Sequence, residues 1–332
     1  MPKISVVLPV YNSEEFIQEA VTSILDQTYK DFILFAINDG STDKSHEILS
    51  KIKDKRLNVI SNEKNMGLIY SLNLGLNLSK DFEYIARMDA DDISLSDRFR
   101  IQVECLDNNK NVGIVGTSIN YFGGGYKPMD VFLPETTGKI TPAFLCKNPI
   151  VHPTVMLRNS LIQDLGLKYD YDYPKYEDYK LWLDLVNECD FYNIQNILLS
   201  YRRHNANVSN QENYQLESDL IMIEKIIISY AEKMNIEFSK EELEVLSIIT
   251  SVYRWQINKF IPLEILYESI NSVVDKHPKN NVDIDYLRHL LWERGLVYLF
   301  KCGRKMDILK LISTKNLDVS YIRIFNIHNN WF

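Results

Sequence analysis

Four short apolar runs, each closed by a polar cluster and separated by helix-like stretches, constrain this chain more than any other feature. "PVYNSE" follows "KISVVL", "NDGSTD" follows "FILFAI", "NEKN" follows "LNVIS", and "DADD" follows "FEYIARM". Between the first two, "NSEEFIQEAVTSILDQ" puts Ile17, Ala20, Val21, Ile24 and Leu25 on one helical face. Asn12 with Glu15 predicts a capping box there, and Ser41 predicts the N-cap of the next helix. "MGLIYSLNLGLNLS" and "LSDRFRIQVECLDNN" supply two more helices, and "VGIVGT" a fifth strand. Such alternation predicts an α/β fold with a mostly parallel sheet flanked by helices. In open sheets of this kind ligands sit beyond the carboxyl ends of the strands, where the polar clusters fall.

The alternation loosens from about residue 117. "YFGGGYKP" reads as a loop, "YPKYEDYKLWLDLVNECD" opens a helix, and "FYNIQNILLSYR" is a strand. After about Asn210 the pattern turns wholly helical. The expected division is therefore a sheet domain, 1–210, and an all-helical C-terminal region, 211–332. No internal repeat or low-complexity tract is visible.

Charge and composition exclude several classes. A net charge of -8 argues against a nucleic-acid binder. With 45% hydrophobic residues the chain can build a large core, yet no stretch reaches the ~18 apolar residues of a membrane span. The N-terminal apolar run is short and broken by Pro9, unlike a signal peptide. Cys105, Cys146, Cys189 and Cys302 lack metal-like spacing and read as reduced, buried thiols. A cytoplasmic protein is expected.

The polar clusters suggest chemistry. Asp89 and Asp91 could both face a hard divalent cation, which prefers oxygen ligands. The spacing does not fit an EF-hand. The alternative is a solvated loop in which Asp92 or Ser94 caps a helix. Tyr11 could stack on a planar base, and Asp39 could accept from a base N–H or a ribose hydroxyl. No G-x-G-x-x-G or Walker A pattern is present, which disfavours nicotinamide cofactors. Glu177 and Asp178 open a helix, where the dipole favours acids; either could instead act as a general base. Arg202, Arg203 and His204 could grip phosphate oxygens or form a basic surface loop.

In order, "PVYN", "NDGSTDKS", "NMG", "MDADD", "HPTVM", "EDYKLW" and "YRRH" resemble the family 2 glycosyltransferases of GT-A fold, of the bacterial polysaccharide-building type. The resemblance covers roughly residues 3–210. It implies an inverting transfer of sugar from a UDP-sugar donor to a saccharide or polyprenyl-diphosphate-linked acceptor, in capsule, lipopolysaccharide or exopolysaccharide synthesis. It further implies that Pro9, Tyr11, Glu14, Asp39 and Asn65 hold the nucleotide, with Asp89 on the sugar or ribose side. Asp91, with Asp89 and His204, would bind Mn2+ or Mg2+. Arg203 and His204 would approach the diphosphate. Asp178 would be the catalytic base, with Glu177 and His152 on the acceptor side.

Two alternatives remain at this level: a sugar nucleotidyltransferase, and an inactive nucleotide-sugar-binding protein. The first lacks the Gly- and Lys-rich loop expected after strand one. Residues 286–332 hold eight Lys/Arg against three Asp/Glu. With Trp292, Tyr298, Phe300, Trp331 and Phe332, this predicts a homodimer contact or peripheral contact with the inner membrane. The alternative is a helical cap with a solvated basic face.

Overall fold

Strand β1 (Ile4–Val10) is apolar on both faces, and all of it but Pro9 is buried. That is the signature of a central strand covered on each side. The computed structural model describes residues 2–125, 127–204, 216–251, 259–280 and 282–314. In chain order the elements after β1 are α1 (Ile17–Leu25), β2 (Phe32–Asn38), α2 (Ser45–Lys51), β3 (Leu57–Ser61) and α3 (Leu68–Leu78). Then come β4 (Tyr84–Arg87), β5 (Ile93–Ser94), α4 (Arg98–Asn108), β6 (Val112–Phe122), β7 (Met129–Val131) and α5 (Thr137–Ala143). β8 (Met156–Arg158), α6 (Asn159–Asp164), α7 (Glu177–Asp184) and β9 (Asp190–Arg202) follow. Five helices complete the described chain: α8 (Leu216–Met234), α9 (Lys240–Ser251), α10 (Leu263–Lys276), α11 (Ile284–Lys301) and α12 (Lys305–Thr314).

The sheet has nine strands in the order β3-β2-β1-β4-β8-β6-β9-β5, with β7 on β6. The first four run parallel, as the alternation predicts. β8 is antiparallel to both β4 and β6, while β9 runs parallel to β6. The second half is therefore mixed, because its strands are not joined by regular strand–helix–strand crossovers. Pro9 shows how the strand ends open. Val7 carbonyl receives the Met88 N–H, so alternate residues of β1 face β4. Pro9 faces the same way, beyond the last paired residue Arg87. A missing N–H costs nothing where the neighbouring strand has ended.

The chain divides into two compact units, Met1–Thr136 with Pro149–Gln211, and Thr137–Asn148 with Glu212–Phe332. The segment 137–148, which the sequence reading kept with the sheet, thus belongs to the helical unit. There α5 contacts α11, and Asp283 N–H bonds to Gly138 carbonyl.

In the helical unit Trp292 and Tyr298 are buried, contrary to their expected exposure as aromatic ends. The Tyr298 hydroxyl donates to Lys259 carbonyl at 2.7 Å and accepts from Ile261 N–H at 2.8 Å. Phe300 is exposed; Trp331 and Phe332 lie outside the described residues. Among the described residues no helix is long and apolar enough to cross a membrane. Cys146 is buried, but Cys105, Cys189 and Cys302 are only half-buried.

Candidate active site

The two predicted caps are used across loops rather than within helices. α1 is preceded by Phe16 with no side-chain cap, so the Asn12–Glu15 capping box does not form. Asn12 has φ +47°, and its side-chain oxygen accepts from Thr42 N–H at 2.8 Å. α2 begins at Ser45, and Ser41 Oγ instead accepts from Asn12 N–H at 3.0 Å. Glu14 accepts from Lys44 N–H at 2.9 Å, and Asp43 from Glu14 N–H at 2.9 Å. Adjacent parallel strands bring these loops side by side, so partners about thirty residues away replace local ones.

Asp39, at the end of β2, is buried. Its carboxylate accepts from Asn62 Nδ2 at 2.7 Å, Met66 N–H at 2.9 Å and Gly67 N–H at 2.8 Å. An ionised carboxylate offers about four acceptor sites, so one remains for a donor in the cleft. Gly40 has φ +64°, and a Cβ there would meet the backbone carbon of Lys64 at 2.4 Å. Gly40→Ala should therefore push aside the 62–67 loop, whose Met66 and Gly67 N–H groups Asp39 holds.

These loops line a cleft of 690 Å³. Pro9, Tyr11, Glu14, Asp39, Asn65, Asp89, Asp91 and His204 all border it. The Tyr11 ring is half exposed there, open to stacking. Arg203 is not among the lining residues. Its guanidinium lies 4.4 Å from the centre of the Tyr121 ring.

At one end of the cleft Asp89, Asp91 and Asp92 present carboxylate oxygens within 4.8 Å of one another. Burial and the neighbouring Asp89 raise the Asp91 carboxyl above the ordinary range. Burial, then Asp89 and Asp91, raise that of Asp92 further. Asp92 does not cap a helix; it accepts from Arg202 N–H at 2.8 Å, and its other oxygen is buried without a hydrogen-bond partner among the described residues. His204 Nε2 lies 2.8 Å from Asp91 Oδ2. The short antiparallel pair of β5 with β9 brings "YRRH" to "DADD". Crowded carboxylates, an orphaned acceptor and an imidazole suit a divalent cation, which would relieve both the repulsion and the missing bond.

A second group surrounds Arg87. Its guanidinium is buried and ion-paired with Asp89. The Asp178 carboxyl is pushed up to about 7, first by burial and then by Glu177, while Arg87 and Asp89 act on it with opposite signs. Glu177 is buried and likewise raised, mainly by burial. The Asp178 oxygen also accepts from Tyr179 N–H at 2.7 Å, so the residue both starts the helix and carries a titrating group. His152 Nε2 lies 2.9 Å from Tyr169 Oη, and its ring is 5.8 Å from that of Trp182 on α7. Burial, then the Arg87 charge, holds the His152 imidazole neutral.

Eight predicted residues thus share the cleft, and Glu177, Asp178 and His152 each feel the charge of Arg87, which pairs with the cleft-lining Asp89. Arg87, Asp92, Asp43 and Tyr169 were not foreseen as site residues. A cation two places before the acidic triplet was the only visible signal for the first.

Residues 5–165 match the model of glycosyl transferase family 2. An uncharacterized glycosyltransferase of Haemophilus influenzae is 32% identical over 93% of this chain and 98% of its own length. The O-antigen biosynthesis glycosyltransferase WbnJ of Escherichia coli is 32% identical over 61% of this chain and 80% of its own. In structure, Staphylococcus aureus TarS 1–349 in complex with UDP-GlcNAc superposes with a TM-score of 0.61 at 19% identity, over 90% of this chain and 89% of that one. That likeness establishes the GT-A fold. The chain belongs to glycosyltransferase family 2 and is a transferase enzyme, which sets aside the sugar-nucleotidyltransferase alternative.

Proposed function

We propose that this glycosyltransferase moves a sugar from a UDP-sugar to a saccharide or polyprenyl-diphosphate-linked acceptor, with inversion, in bacterial capsule, lipopolysaccharide or exopolysaccharide synthesis. One observation carries the reading: a nucleotide-sized cleft ends at an acidic cluster, and a carboxyl titrating near neutrality lies within electrostatic reach of that cluster's Asp89. The likeness to an O-antigen enzyme supports the pathway.

In this reading Tyr11 stacks on the uracil, and the remaining acceptor site of Asp39 takes a base or ribose donor. Pro9, Glu14 and Asn65 shape the same end of the cleft. Asp89 faces the sugar or ribose, and Asp91, with Asp89 and His204, would hold Mn2+ or Mg2+. Such an ion supplies counter-charge for a leaving diphosphate. Asp178 takes the proton from the acceptor hydroxyl, a poor nucleophile when protonated. Glu177 keeps that carboxylate basic, and His152 flanks the acceptor side. A single displacement with one base inverts the anomeric centre; no second carboxylate nucleophile is required. For Arg203 to reach a diphosphate it must leave the Tyr121 ring.

Only ionised Asp178 can accept a proton, so kcat/KM should rise with pH along a limb centred near 7. A profile flat between pH 5.5 and 8.5 would count against it. The primary test is a UDP-sugar panel, starting with UDP-GlcNAc, read as released UDP with a saccharide acceptor. Absence of UDP release with every donor would overturn the UDP-sugar reading.

For the helical unit, exposed Met306 and Leu309 on α12, between Lys305 and Lys310, would rest on an anionic membrane surface near a lipid-linked acceptor. Deleting residues 286–332 would remove buried Leu287, Leu291 and Trp292, so point changes make the better test. Met306→Glu with Leu309→Glu should abolish flotation with phosphatidylserine vesicles. Flotation that survives both changes discards the membrane contact, and a concentration-dependent sedimentation shift would point to a homodimer.

A further inference from the structure

Arg87 closes β4 directly before the acidic loop, and its side chain is turned into the protein rather than out to solvent. One nitrogen pairs with Asp89, while Nε is buried with no hydrogen-bond partner among the described residues. With Tyr169 it lines an internal cavity of about 10 Å³, room for about one water. Tyr169 in turn bonds His152, which packs on Trp182 of the helix that starts at Glu177 and Asp178. Arg87 therefore pairs with Asp89 on one side and on the other shares a cavity with Tyr169, the partner of His152.

We propose that Arg87 is a positioning residue for the transfer reaction: one buried guanidinium fixes Asp89 at the donor end and offsets the negative charge of the Glu177–Asp178 pair at the acceptor end. The inference rests on Asp178 being the base. A guanidinium suits this place because it stays charged when buried and offers several donors in a fixed plane. The groups acting on Asp178 include Glu177 and Asp89, which hold it protonated, and Arg87, which favours its ionised form. Tyr169, raised by burial to the point of staying neutral, adds no charge. Arg98, whose guanidinium donates to Arg87 carbonyl at 2.7 Å, holds the end of β4 in place. Without the Arg87 charge, two acids and a buried site would keep Asp178 protonated further into the neutral range.

The test is the pH profile of transfer, with folding followed by thermal melting and donor-site integrity by UDP affinity. Arg87→Gln should move the acidic limb of kcat/KM up by about one pH unit, the order expected when one nearby charge is lost from a buried site. The rate should then fall about tenfold at pH 6.5 and recover most of that loss by pH 8.5. A purely structural role would lower the rate equally at every pH and leave the limb unmoved, and that result overturns the inference. Should Arg87→Gln fail to fold, Arg87→Gln with Glu177→Gln removes one charge of each sign and carries the test. Its limb should lie about one unit above that of Glu177→Gln alone, and coincident limbs overturn the inference. If Asp178→Asn itself keeps its activity, the assignment of the base fails instead, a result distinct from an unmoved limb.

Discussion

Asp178→Asn is expected to lower sugar transfer about a thousandfold while UDP affinity stays within about twofold of native. A positioned base contributes typically ~10²–10⁴ in rate, and the amide keeps the shape of the carboxylate without its basicity. Asp178 stands in the first turn of α7 and is not among the residues that line the cleft, so the contacts made there should survive. Thermal stability at pH 8 should not fall, because the change removes a charge that burial and Glu177 already disfavour. Single-turnover transfer with saturating donor is the measurement to make. Near-native turnover would move the role elsewhere, with Glu177 the first residue to examine.

Asp91→Ala should have the second large effect. It removes one of three clustered carboxylates and the partner of His204 Nε2. Divalent-ion stimulation of UDP release should disappear, and transfer should fall by about 10³ or more, since a bound ion is worth several kcal/mol to a developing anion. A direct manganese titration by electron paramagnetic resonance, with and without UDP, reads the site independently of turnover. Chelation of the native enzyme should reproduce the loss, and added Mn2+ or Mg2+ should reverse it in the native protein alone. If Asp91→Ala titrates the ion with unchanged affinity, the acidic loop is a structural turn and the ion is held elsewhere.

Much of this site was legible because it sits at strand ends. Apolar runs with a polar cluster at each carboxyl end show which residues reach the rim of a parallel sheet, and Tyr11, Asp39, Asp89 and Asp91 follow from that rule. What was illegible has a common physical character. Asn12 and Ser41 obey local capping rules, but each finds a better partner about thirty residues away on the neighbouring loop. Asp92 looked like a helix cap, yet one of its oxygens accepts from Arg202, 110 residues on. Trp292 and Tyr298 looked like surface anchors, but helix packing buries both.

By itself the sequence determined the strand–helix alternation, the placement of acids and aromatics at the rim, and the family to which those motifs point. Period and turn chemistry are local, and they survive folding because each run has one way to bury its apolar side. Only the tertiary structure decided that β5 pairs with β9, carrying His204 to Asp91, and that Arg87 is buried and paired with Asp89. Those choices depend on charges that meet across long separations in a site with little water, where the energy of each group is set by neighbours that no local window contains.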